Sequence, residues 1–158
     1  MGGSLAAALK AQGTTSRIRG IARRTENVQQ ALARGLIDEG TCDAGAGVSD
    51  ANLVVLATPV RTTIALLEQL GPRFPPGCIV TDMGSTKTGI MRAMDKLPPH
   101  VEPIGGHPMC GREVAGLDAA EAGLFQNKIY VLSPLGRTSH ETLSVMEQLV
   151  DMIQGRSI

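Results

Sequence analysis

Apolar and polar positions along this chain switch repeatedly between a helical period and a strand-like one. Residues 4–12 are rich in Ala and Leu and predict a helix, stopped by Gly13. Residues 17–22, Arg-Ile-Arg-Gly-Ile-Ala, alternate polar with apolar or small and predict a short strand. Thr25 can cap a helix over 26–34, with Gly35 as its stop. Residues 36–49 hold one short strand and a loop. Residues 52–57, Asn-Leu-Val-Val-Leu-Ala, form the continuous apolar run of a strand buried on both faces of a parallel sheet. Thr58 and Pro59 end it, and a helix follows to Leu70 with Ile64, Leu67 and Leu70 on one face. A strand over 78–81 precedes a helix opened by Ser85 and running to about residue 96. A strand over 101–105 leads into a glycine-bearing loop that contains His107. A last strand over 128–132 and an amphipathic helix over 138–153 complete the pattern.

Repeated strand–helix units with no linker or internal repeat predict one α/β domain over residues 1–158. The expected architecture is a Rossmann-like, doubly wound, mainly parallel sheet with right-handed crossovers. Ligands of such sheets bind beyond the carboxyl ends of the strands. That rule selects Ala22-Arg23, Thr58-Pro59, Gly84-Ser85 and Gly106-His107, each just after a strand, as one candidate rim.

Composition narrows the partners. Fifteen basic residues balance fifteen acidic ones, so no net field favours nucleic acid or an anionic membrane. A small anionic ligand fits better. The core must be built from Leu, Ile, Val, Ala and Met, because the chain has two Phe, one Tyr and no Trp. Cys42, Cys78 and Cys110 are far apart and lack metal-ligand spacing, which implies no metal site and a reducing cytoplasm. The first residues carry no basic segment and reach Lys10 early, unlike a secretory leader, and no apolar run is long enough to span a membrane.

The rim residues carry the candidate chemistry. Gly2, opening a helix, could let backbone approach a pyrophosphate, whose charge a helix N-terminus stabilises; a plain flexible start is the alternative. Arg23 and Arg24 either begin a helix as a solvated pair or meet the 2′-phosphate of NADP, where an acidic residue would favour NAD. Ser85 can cap the following helix, direct its hydroxyl at a ligand, or both. Lys87 stands unfavourably in the first turn of a helix, which a local anion would explain. His107, between Gly106 and Pro108, can exchange a proton near neutral pH, as oxidation of a hydroxyl requires. His100 reads as structural and His140 as solvated.

Five segments together resemble the prephenate dehydrogenase family, with its close relative arogenate dehydrogenase. They are Gly2-Gly-Ser-Leu-Ala6, Gly35-Leu-Ile-Asp-Glu39, Ala57-Thr-Pro-Val60, Thr81-Asp-Met-Gly-Ser-Thr-Lys87 and Gly105-Gly-His-Pro-Met-Cys-Gly111 with Glu113. The resemblance implies oxidative decarboxylation of prephenate or arogenate with hydride transfer to NADP or NAD, in tyrosine biosynthesis. It implies that His107 takes the proton of the ring hydroxyl and that Ser85 stands near that hydroxyl and the nicotinamide. Glu113 would lie near the substrate side chain, and Thr58 and Pro59 at the cofactor. NADP is the favoured cofactor, on the strength of Arg23 and Arg24.

Two features depart from that family. A strand with G-x-G would precede Met1, and a helical C-terminal domain supplying homodimer contacts would follow. Without that first strand the sheet is expected to separate into two parts with unpaired edges, and the chain alone to be poorly active. Two other readings stay open: a Rossmann oxidoreductase of the β-hydroxyacid dehydrogenase type, in which His107 has no assigned work, and a non-catalytic nucleotide-binding module.

Overall fold

A computed structural model describes residues 1–111 and 116–158. In chain order the elements are α1 (Gly2–Ala11), β1 (Arg19–Ile21), α2 (Thr25–Ala33), β2 (Glu39–Thr41), α3 (Ala44–Val48), β3 (Leu53–Leu56) and α4 (Val60–Leu70). They continue with β4 (Ile79–Asp82), α5 (Thr88–Asp95), β5 (Glu102–Pro108), β6 (Ile129–Pro134), α6 (His140–Met152) and β7 (Arg156–Ser157).

The strands form a five-stranded sheet, ordered β3-β4-β5-β6-β7, and a separate parallel pair, β1-β2. Among the described residues no ladder joins β1 to β3. The separation expected from the sequence is therefore present. α1 and α3 bridge the two parts. Leu5 and Ala8 of α1 pack into the core under the large sheet, while Ala6 packs with Ala31, Leu36 and Ile37 beside the small one. α3 puts Val48 into the core beneath α4 and Gly47 against Ile21 and Thr41 of the pair.

Helices cover both faces of the large sheet. Val54 and Leu56 join Leu67, Leu70, Val80, Ile90 and Met94 beneath α4 and α5. Leu53 and Val55 point the other way, toward Leu5, Ile104, Met146 and Val150 beneath α1 and α6. Alternation across the strand explains why a continuous apolar run serves two cores. Its burial is not uniform, however: Leu53 and Val55 remain only partly buried. All three aromatic residues, Phe74, Phe125 and Tyr130, lie at 2% exposure or less, so the few large rings are spent wholly on the core.

Several boundaries differ from the pattern-based expectation. The segment 36–49 contains a short helix, α3, capped by the Asp43 carboxylate, which accepts the Ala46 N–H. Thr25 is the first residue of α2 and makes no cap; the cap position is Arg24. Ser85 does not open α5, which begins at Thr88 with Lys87 at its cap position. Most consequentially, His107 is not on a loop. It lies in β5, opposite Val131 of an antiparallel partner, β6. No α-helix occurs among the described residues between β5 and β6, only short 3-10 turns, so no crossover forces a parallel return. Neither Gly105 nor Gly106 has positive φ; their lack of a side chain serves close packing instead.

Candidate functional site

Strand register fixes what shares the rim. β3, β4 and β5 run parallel, with Leu56 opposite Asp82 and Thr81 opposite Ile104. Thr58-Pro59, Gly84-Ser85 and Gly106-His107 therefore lie at the same end of one sheet. Arg23 and Arg24 follow β1, in the separate pair, so no ladder ties them to the other three.

At the first strand end, Pro59 occupies the cap position of α4 and Thr58 shares a 2.9 Å hydrogen bond with the buried Thr63 hydroxyl. The Thr63 hydroxyl is also 3.2 Å from the Thr58 carbonyl. The start of α1 comes against this corner: a Cβ placed on Gly2 would stand 3.1 Å from the Cβ of Ala57. No side chain caps α1, so its first-turn N–H groups are available to a ligand. Gly2 and Thr58 are thus neighbours through Ala57.

The second strand end is organised by a buried carboxylate. Asp82 closes β4 with no solvent exposure. Its Oδ2 accepts the Gly84 N–H at 2.7 Å and the Lys87 ammonium at 2.5 Å. Its Oδ1 accepts the Gly106 N–H at 3.2 Å, and Lys87 also donates to the Gly106 carbonyl at 2.6 Å. The anion that Lys87 requires at its helix start is therefore Asp82, a residue of the chain itself. Burial pushes the Lys87 ammonium below the usual lysine range, against the opposing pull of Asp82.

Ser85 and His107 emerge from this cluster. Ser85 is exposed and His107 half-buried, and among the described residues neither side chain makes a hydrogen bond. A free hydroxyl and a free imidazole thus follow directly after Gly84 and Gly106. Arg23 and Arg24 are likewise exposed and unpaired among the described residues. Glu113 lies outside the described residues. His100 is structural as expected, its Nε2 standing 3.1 Å from the Phe74 carbonyl, and His140 opens α6 exposed.

Residues 5–158 match the nucleotide-binding domain of prephenate dehydrogenase. The chain belongs to the prephenate dehydrogenase family. It is 36% identical over 157 residues to the prephenate dehydrogenase of Bacillus subtilis, a match covering 98% of this chain and 42% of that protein. Among solved structures it resembles the arogenate dehydrogenase of Synechocystis, with a TM-score of 0.91 and 33% identity over 99% of this chain and 54% of that one. The prephenate dehydrogenase of Aquifex aeolicus, solved with hydroxyphenyl propionate and NAD+, gives a TM-score of 0.89 and 29% identity, covering 99% of this chain and 55% of that one. The chain therefore spans about half the length of these relatives. Membership in this family decides against the β-hydroxyacid dehydrogenase type. Among the described residues no helix is long and apolar enough to cross a membrane.

The residue that sequence reasoning missed at this site is Asp82. The signal was available as an acidic side chain ending an otherwise apolar strand, five residues before an unexplained lysine.

Proposed function

We propose that this chain is the dinucleotide-binding part of an enzyme that oxidatively decarboxylates prephenate or arogenate. The observation carrying this reading is the free His107 imidazole at the sheet's carboxyl rim, in a chain of the prephenate dehydrogenase family.

The residues at hand suit an anionic dinucleotide. Gly2 lets the uncapped start of α1 come close to Ala57, Thr58 and Pro59 border the same corner, and among the described residues Arg23 and Arg24 offer unpaired guanidinium groups. The bound cofactor supplies a hydride acceptor. His107 accepts the proton of the ring hydroxyl as the hydride leaves the carbon bearing it, and the hydroxyl oxygen becomes a carbonyl. The bond from ring to carboxylate then breaks, its electron pair enters the ring, carbon dioxide departs, and the carbonyl takes up a proton to give the phenol. Ser85 donates a hydrogen bond at the reacting oxygen and also borders the cofactor. Glu113, by the family resemblance, is assigned to recognition of the substrate side chain. NADP is preferred to NAD because Ala22, not an acid, follows β1 and two arginines, Arg23 and Arg24, come next. Three free cysteines, Cys42, Cys78 and Cys110, suit a reducing cytoplasm, and the whole enzyme acts as a homodimer.

The test is His107→Asn in the complete protein that carries this chain. A fall in kcat of about 100-fold or more, with little change in dinucleotide affinity, is expected. Turnover of prephenate and arogenate within threefold of wild type removes the assignment.

A further inference from the structure

The ladder between β4 and β5 ends at Thr81 opposite Ile104, yet the backbone of Gly106 does not go unpaired beyond it. Its N–H is taken by Asp82 Oδ1 at 3.2 Å and its carbonyl by Lys87 Nζ at 2.6 Å. Two side chains thus continue the hydrogen bonding after β4 has turned away. The same carboxylate accepts the Gly84 N–H at 2.7 Å through its other oxygen. One fully buried group therefore holds the residue before Ser85 and the residue before His107 at once. The fit is tight, since a Cβ on Gly84 would stand 3.0 Å from Asp82 Oδ2 and one on Gly106 would stand 2.5 Å from the Asp82 carbonyl.

We infer that Asp82 and Lys87 are positioning residues that lock Ser85 and His107 into a fixed relation across the ends of β4 and β5. The inference rests on the proposed roles of those two residues. Asp82 alone cannot serve, because a buried carboxylate without a cation is strongly unfavourable. Lys87 supplies the charge, and its second bond to the Gly106 carbonyl ties that charge to β5. A catalytic pair must be held within a fraction of an ångström to react, so the consequence falls on turnover rather than on cofactor affinity.

The experiment uses Lys87→Met, Lys87→Arg and the double variant Asp82→Asn with Lys87→Met, which leaves no stranded charge. In the complete protein, Lys87→Met is expected to lower kcat about 30-fold or more while the dinucleotide KM stays within threefold. Lys87→Arg, which keeps a cation with several donors, is expected to recover at least a third of the lost activity on a logarithmic scale. In this chain, amide exchange at Gly84 and Gly106 should quicken together by about tenfold or more in Lys87→Met. Should Lys87→Met fail to fold, the double variant must show the same kcat loss and paired exchange. A kcat within twofold of wild type overturns the lock, as does exchange that changes at one glycine only, or failure of all three variants to fold. If the wild-type complete protein turns over neither substrate, the functional reading falls and the paired exchange alone decides whether the lock stands.

Discussion

Gly106 packs against the backbone of Asp82 so closely that a Cβ would meet its carbonyl oxygen at 2.5 Å, with the Tyr130 ring 3.0 Å away on another side. Neither neighbour can yield easily: one is strand backbone and the other a ring at 2% exposure. Gly106→Ala is therefore expected to destabilise the chain by at least ~2 kcal/mol, in the upper range for overpacking. Gly105→Ala makes an informative comparison. Its nearest contact, at 2.6 Å, is the sulfur of Met91, the mobile end of a flexible side chain. A loss below ~1 kcal/mol is expected there. Urea unfolding of the two variants checks the order, and equal losses would contradict it.

A second prediction concerns Arg137, half-buried in the turn between β6 and α6. Its guanidinium donates to the carbonyls of Val101 at 3.0 Å, Leu97 at 3.1 Å, Met94 at 3.2 Å and Pro98 at 3.4 Å. Most of these oxygens lie at or just beyond the end of α5, where a cation also opposes the negative pole of the helix. Arg137→Met strands several carbonyls and should lose about 2–3 kcal/mol of stability. Arg137→Lys, with its single nitrogen, should recover part of it. Thermal unfolding at matched pH measures both, and an unchanged Arg137→Met midpoint would show that water replaces the guanidinium without loss.

These two sites also show where sequence is informative and where it stops. Gly13 and Gly35 were legible as helix stops because each must take positive φ, and both do, at 70° and 64°. The apolar runs of β3 and β4 were legible because a buried parallel strand can hold little else. The rim followed from those two facts together. His107 was placed on the expected rim but on the wrong element, because two glycines read as a turn when they serve close packing, Gly105 against Met91 and Ser133 and Gly106 against Asp82. Asp82 and Arg137 escaped for a different reason. Most of their partners are backbone groups, which every residue carries and no spacing of residue types announces; the Lys87 five residues after Asp82 was the one partial signal.

Acid sensitivity should be traceable to Glu102, at the start of β5. Burial raises the affinity of its carboxyl for a proton, but the Ser139 N–H, the Thr142 and Ser139 hydroxyls and the Arg137 charge together outweigh it and hold the carboxyl below the usual glutamate range. Its Oε2 is 3.0 Å from the Thr142 hydroxyl and 3.3 Å from the Ser139 nitrogen, which anchors the first turn of α6. A carboxyl depressed in the folded state contributes stability above its unfolded value, about 4.3, and loses it as pH falls through the lower folded value. Glu102→Gln should therefore unfold at a lower temperature than wild type at pH 7. The gap should close as pH drops below the ordinary glutamate range. A gap that is constant with pH would mean that packing, not charge, sets the contribution.

The proposed preference for NADP over NAD rests on Arg23 and Arg24. Both are exposed just beyond β1, and among the described residues neither side chain is held by a hydrogen bond or ion pair. By contrast Arg19, two residues before the end of that strand, is fully engaged, with Nε bonded to Glu39 at 2.7 Å and the rest of its guanidinium on Asp50. Arg19 is thus committed to joining β1, β2 and the end of α3, while the Arg23 and Arg24 guanidinium groups have no partner among the described residues. A 2′-phosphate meeting either of them gains charge-assisted hydrogen bonds that a 2′-hydroxyl cannot supply. Replacing both with Ala should weaken NADP binding about tenfold or more and leave NAD binding within threefold, as read by calorimetric titration. Replacing Arg19 should instead lower stability and affect the two dinucleotides alike. If the NADP/NAD ratio stays constant in the double alanine variant, the two arginines are surface groups of α2 and the preference must be set elsewhere.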